Sequence, residues 1–153
     1  MFTASNSSYQ KTKIENDGFW PDIEAGDFER LRSTPAAQDD ERIAHALVNA
    51  VSSVNLQLVM LKTRYMAEGI VKAEDINAFP KIDDKNRIVI QYQSAVFARA
   101  KADLLADFAT VHQKKEGDHL AERLKETKNE LLAESERIIR NMLGKNRASV
   151  GLI

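Results

Sequence analysis

Between Asp39 and Gly69 the apolar residues return every three or four positions, at Ile43, Leu47, Val51, Val54, Leu58, Leu61 and Tyr65. That period lays one buried stripe along an α-helix. Val48, Val59 and Met66 stand beside the stripe and widen it, which predicts contact on more than one side. Asp39, Asp40 and Glu41 put negative charge where a helix N-terminus favours it. Thr34-Pro35 offers an alternative cap and first turn, and Gly69 suits the C-terminal end. A second helix is predicted from about Asp83 to Lys115, on Val89, Tyr92, Val96, Ala100, Leu104, Phe108 and Val111. Ala95, Ala98, Ala100, Ala102 and Ala106 make it slim enough for another helix to approach closely. After Gly117 a third helix runs from about Asp118 to Leu143, on Leu120, Leu124, Leu131, Ile138 and Met142. Thr127 and Ser135 interrupt its stripe, and Gly144 ends it. Ile70 to Ile82 form a connector broken at Phe79-Pro80, with Phe79 expected to cover the helix ends of its own bundle.

The N-terminal part reads differently. Met1 to about Gly18 is polar and aperiodic, the pattern of a flexible arm. Phe19-Trp20-Pro21-Asp22-Ile23 then places the one tryptophan in a polar leader, and Asp22 to Arg32 suits a short helix carrying Phe28 and Leu31. An aromatic pair must dock somewhere, either on its own protomer or in a neighbour, where aromatics are common anchors. The interface reading assigns Phe19, Trp20 and Ile23 to a boundary between subunits. The expected fold is all-α: a bundle of three long helices plus a short N-terminal helix, with extended N- and C-terminal arms. The chain divides into an arm (1–18), a helical domain (19–143) and a tail (144–153).

At 153 residues one domain with a real core is the default. A net charge of −1 gives no global pull toward nucleic acid or membrane. The absence of cysteine excludes disulfides and thiolate metal sites and suits a reducing compartment. No apolar run approaches the roughly 20 residues of a membrane helix, and the leader lacks a secretion signal's basic and apolar regions. The chain reads as intracellular and soluble. Local charge is uneven. Asp22, Glu24, Asp27, Glu29, Asp39, Asp40 and Glu41 make an acidic front, while from Arg137 onward Arg137, Arg140, Lys145 and Arg147 meet no acid. Opposed ends suit head-to-tail packing of identical subunits; such runs are also often plain solvated faces. The tail closes on apolar Val150-Gly151-Leu152-Ile153.

Chemistry is thin. His45, His112 and His119 lack ligand spacing, and His112 with Glu116 suits a surface hydrogen bond better than a metal. Asp39-Asp40 and Asp83-Asp84 read as helix starts, since adjacent residues point apart on a helix. No phosphate loop, nucleophile elbow or dinucleotide fingerprint is present. No enzyme, metal or cofactor is expected. Arg137, Arg140, Lys145, Arg147 and Lys114-Lys115 have the charge to meet phosphates, which keeps a non-catalytic DNA-binding or packaging accessory role as the alternative.

The ordered set Phe19-Trp20-Pro21-Asp22-Ile23, Arg30-Leu31-Arg32, Asp40-Glu41-Arg42-Ile43, Val54-Asn55 and Gly144 to Ile153 resembles the head-completion proteins of contractile-tailed bacteriophages, the GPL family. The likeness runs from about Phe19 to the C-terminus. Pro35 to Gln38 looks like an extra turn, and Gly151 stands where a polar residue is expected. The resemblance implies a structural virion protein at the head–tail junction, assembled in the host cytoplasm. It implies a homo-oligomeric ring of about twelve-fold symmetry on the portal protein, retaining DNA and meeting a tail-completion or tail-terminator protein. Non-specific contact with packaged DNA fits that role, and no membrane is involved. Arg140, Lys145, Arg147, Val150, Leu152 and Ile153 are then the expected portal contacts.

Overall fold

A computed structural model describes residues 8–32, 39–112 and 117–145, with side chains described at all of these except 106–112 and 117–121. In chain order it forms β1 (Lys13–Ile14), β2 (Ile23–Glu24), α1 (Ala25–Arg32), α2 (Asp40–Gln57), α3 (Val59–Ala67), a 3-10 turn (Ala73–Asp75), α4 (Arg87–His112) and α5 (Gly117–Met142). The chain is mainly helical, but the expected three long helices and one short one are five α-helices among the described residues, joined by a two-stranded antiparallel sheet.

Asp39 caps α2: its backbone is extended and its carboxylate accepts the Glu41 N–H at 3.1 Å. The stretch predicted as one helix breaks at Leu58, where α2 and α3 meet at 61°. The Leu58 N–H is shared between the Val54 and Asn55 carbonyls at 3.1 and 3.2 Å. Its side chain is buried, so the apolar stripe turns the corner and continues to a buried Leu61. Periodicity alone does not register such a bend, because both halves keep the same inward face. The other end of this pair follows expectation. Gly69 has φ +88°, and the Ile70 N–H reaches back to the Tyr65 carbonyl at 3.0 Å, closing a Schellman turn that needs a left-handed residue.

The start predicted at Asp83 falls four residues short of α4. Asp83 (φ +52°) instead turns a small loop in which Ile82 and Lys85 exchange backbone bonds at 3.0 and 2.9 Å. Asn86 is the true cap. Its side-chain oxygen accepts the Val89 N–H at 3.1 Å while its amide donates to the Ala73 and Glu74 carbonyls. Asn86 is 1% exposed and ties the helix start to the connector. Asp83-Asp84 is therefore a turn, unlike Asp39 and Asp40.

Helix α4 lies between α2 and α5, antiparallel to both. Asn55 meets Tyr92 across one seam, and Ser135 and Asn141 meet Ala95 and Gln91 across the other. Ala95, Ala98, Ala100 and Ala102 are buried, which is what an inner helix needs for close approach on two sides. Ser135, the polar interruption in the α5 stripe, is fully buried because its hydroxyl donates to the Ala95 carbonyl at 2.9 Å. A satisfied hydroxyl costs little to bury.

Residues 8–18 do not behave as the expected flexible arm. β1 pairs Lys13 with Glu24 and Ile14 with Ile23, and Ile14 joins the core. A Cβ at Gly26 would come within 2.7 Å of the Gln10 carbonyl, so the arm lies directly on α1. The boundary at Gly18 falls inside the folded body; residues 1–7 are outside the described ones.

Candidate functional site

The aromatic corner comes first because the sequence points to it. Between β1 and β2 the chain folds back on itself, held by short polar side chains. Asp17 accepts the Phe19 and Trp20 N–H groups at 3.0 and 2.9 Å with one carboxylate oxygen and takes Lys62 Nζ at 2.8 Å with the other. Burial alone would raise the Asp17 pKa; the Lys62 bond and the two backbone N–H groups outweigh it and hold the carboxyl below its ordinary value. The Asn16 N–H donates to Asp22 at 2.8 Å and, with Lys13 nearby at 3.4 Å, lowers that carboxyl as well.

The turn so formed aims Trp20 into the bundle. Its ring stacks on Tyr92 at 4.8 Å, nearly parallel, and Phe19 meets it edge-on at 4.9 Å. Around them runs a closed cycle of hydrogen bonds. Asn16 Nδ2 donates to Tyr92 Oη at 2.7 Å, Tyr92 Oη to Asn55 Oδ1 at 2.6 Å, and Asn55 Nδ2 back to Asn16 Oδ1 at 2.9 Å. Every member both gives and takes, so three partly buried polar ends are satisfied across the arm, α2 and α4. Burial pushes the Tyr92 hydroxyl pKa up, which keeps it a donor at any ordinary pH.

This geometry corrects the expectation that Phe19, Trp20 and Ile23 seal a subunit boundary. They are 2%, 2% and 1% exposed within one protomer, leaving no surface for a neighbour. Asn16 and Asp17, in the flank, are turn-forming side chains, but the partners that draw the pair inward, Asn55 and Tyr92, lie far along the chain. Phe79 errs in the other direction. Expected to cover helix ends, it is 67% exposed, with the Lys81 ammonium 4.8 Å from its ring centre.

Of the expected portal contacts, Arg140 is half-buried on α5 and Lys145 is exposed just past Gly144. Arg147, Val150, Leu152 and Ile153 lie outside the described residues. So do Pro35 to Gln38, Lys114-Lys115 and Glu116, and nothing is described of the His112 or His119 side chains. The acidic front does not stay together. Asp22, Glu24 and Asp27 join Glu74 and Asp84 around a groove of about 260 Å³, while Asp39 and Glu41 line an open hollow with Arg42, His45 and Asp103. Arg30-Leu31-Arg32 also acquires a role: Arg32 makes a two-pronged bond to Glu134 at 2.7 and 3.2 Å, and its carbonyl accepts Lys101 Nζ at 2.7 Å. The end of α1 is thereby clamped to α4 and α5. Among the described residues no cluster of three or more His, Asp or Glu side chains could hold a metal. No single helix there is long and apolar enough to cross a membrane.

A helical body whose longest-range polar contacts join arm, α1, α2, α4 and α5 to one another defines the class: a small α-helical packing module. The family model for phage head completion proteins (GPL) matches residues 14–153, and the chain belongs to that family, a structural component of the virion. It is 36% identical, over the whole of both chains, to the probable head completion/stabilization protein of Haemophilus phage HP1 (strain HP1c1). It is 28% identical to the head completion/stabilization protein of Escherichia phage P2, over 92% of this chain and 82% of that one. No solved structure matches it. Two of the five stretches that resemble the family, Phe19 to Ile23 and Val54-Asn55, meet at the aromatic corner.

Proposed function

We propose that this chain completes the head as a non-catalytic adaptor: a homo-oligomeric ring seated on the portal protein after DNA packaging. There it retains the DNA and offers the tail-completion or tail-terminator protein a platform at the head–tail junction. The observation that carries this reading is the match of residues 14–153 to the head completion family. The structure supplies a well-clamped body, and the sequence places Lys145, Arg147 and apolar Val150, Leu152 and Ile153 after it. Arg140, Lys145, Arg147, Val150, Leu152 and Ile153 are the proposed portal contacts, with the apolar end inserted and the cations meeting acidic groups or phosphates around it.

Quantitative mass spectrometry of purified particles tests the reading. The expected result is about one copy of this chain per portal subunit in mature particles and none in empty precursor capsids. Absence from mature particles would overturn it and bring forward a packaging accessory role. Deleting Ser149 to Ile153 is expected to abolish docking on heads while leaving helical content and melting unchanged.

A further inference from the structure

The outward side of the bent α2–α3 pair is unlike a solvated helix face. Val48, Leu56, Val59, Met60 and Met66 are 48–76% exposed along it; no charged residue is exposed from Val48 to Thr63, and Arg64 is the one exposed charge before Met66. Two exposed hydroxyls on this face bond within their own helix. Ser52 Oγ donates to the Val48 carbonyl at 3.0 Å and Thr63 Oγ1 to the Val59 carbonyl at 2.9 Å. Exposed α5 positions show the ordinary alternative, with Glu122, Arg123, Lys125, Glu126, Glu136 and Arg137 in water. A patch of aliphatic and thioether side chains with internally satisfied hydroxyls is built to be covered.

We propose that this face is where the neighbouring copy of the chain seats in the assembled ring; the inference rests on the ring reading above. Two observations select a second copy. The five side chains present on the order of 500 Å² of apolar surface, against roughly 800 Å² per partner in a stable pairwise complex. Such a contact is too small to hold a lone pair, yet it suffices in a closed ring, where every copy is held on two sides. A head-to-tail contact also needs two different surfaces on one chain, and the connector supplies the second. There Val71, Phe79 and Ile82 are 63–70% exposed, equally uncovered. The α2–α3 face thus takes the place that the buried Phe19, Trp20 and Ile23 do not fill.

The test pairs a charge variant with a cross-link. Leu56→Glu together with Met60→Glu changes two side chains that are each 76% exposed, so helical content and melting should match the parent. Copies per head should fall by about tenfold or more, since two carboxylates would be desolvated at the contact. Asn129→Glu, on exposed α5 surface, should leave the copy number unchanged. The chain has no cysteine, so a mixture of Met60→Cys and Phe79→Cys chains can be joined by a short dithiol-reactive reagent on assembled heads. A mixed dimer is expected. Normal incorporation of the double glutamate variant, or no mixed dimer, would overturn the proposal while leaving the ring intact. A parent chain present at one copy per head would instead remove the ring reading beneath it.

Discussion

The α2–α3 pair has two apolar sides with opposite fates. Its inner side meets the aromatic corner, where Leu58, Leu61 and the half-buried Tyr65 join Phe19 and Trp20 in one core. Its outer side carries Leu56 and Met60, each three-quarters exposed. Side-chain size does not separate the two, since the largest aromatics are the ones hidden. Polar company does. The inner side is bordered by Asn16, Asp17, Asn55 and Lys62, each paired with a partner on another element, whereas on the outer side Ser52 and Thr63 bond only to their own helix. Buried polar cycles fix an apolar group in its own protomer, because separating the pieces would strand several donors and acceptors at once. An apolar face without such fasteners is free to be covered by something else.

The hardest test of that contrast is Trp20→Ala. Removing a fully buried tryptophan that stacks on Tyr92 should cost about 3–5 kcal/mol of stability, seen as a large drop in melting temperature of the isolated protein. Whatever assembly is lost should follow from the lost fold. If the variant melted like the parent yet failed to enter heads, the corner would be an interface after all and the contrast would collapse.

Much of the inner side was legible in the sequence. Ile43, Leu47, Val51, Val54, Leu58 and Leu61 are all buried, because a 3.6-residue period follows directly from packing one helix face. The terminators Gly69 and Gly144 were legible for an equally local reason, the left-handed turn (φ +88° and +71°) that ends each helix. The direction taken by the aromatic pair was not. It depends on Asn16 meeting Tyr92 and Asn55, 76 and 39 residues away in sequence, and no window of neighbouring residues holds that information. The widening of the α2–α3 stripe was visible at Val48, Val59 and Met66. It predicts contact on more than one side, yet in the protomer these residues are about half exposed.

A middle-sized effect sharpens the contrast. Asn55→Ala opens the cycle and leaves Asn16 Oδ1 and the Tyr92 hydroxyl each short of a partner, which should cost about 1–3 kcal/mol. Asn16→Ala should cost a similar amount. The two together should cost clearly less than their sum, because breaking the cycle once already forfeits its mutual support. Strict additivity in chemical denaturation would show that the three bonds act separately, and packing alone would then fasten the corner.

The smallest expected effect is electrostatic and changes with pH. The Asp17 pKa is lowered in the fold from its ordinary 3.8, so the folded state favours the carboxylate. The group therefore adds stability above that pH and loses it as acid protonates the folded carboxyl. Asp17→Asn keeps an oxygen to accept the Phe19 and Trp20 N–H groups but cannot attract Lys62. After solvent screening of a partly exposed pair, the difference from the parent should be about 0.5–1 kcal/mol near neutral pH. It should shrink as pH falls from just under 4 and weaken in high salt, since the Asp17–Lys62 pair is only partly shielded from screening. The outer face has no exposed titratable group between Val48 and Thr63, whereas the connector proposed to meet it carries the exposed carboxylates Glu74, Asp75, Asp83 and Asp84, so acid sensitivity of the contact itself would come from the connector. Head incorporation that fell in Asp17→Asn at neutral pH while the protomer stayed folded would mean that the two sides are coupled, and that the inner fastening helps to set the shape of the outer face.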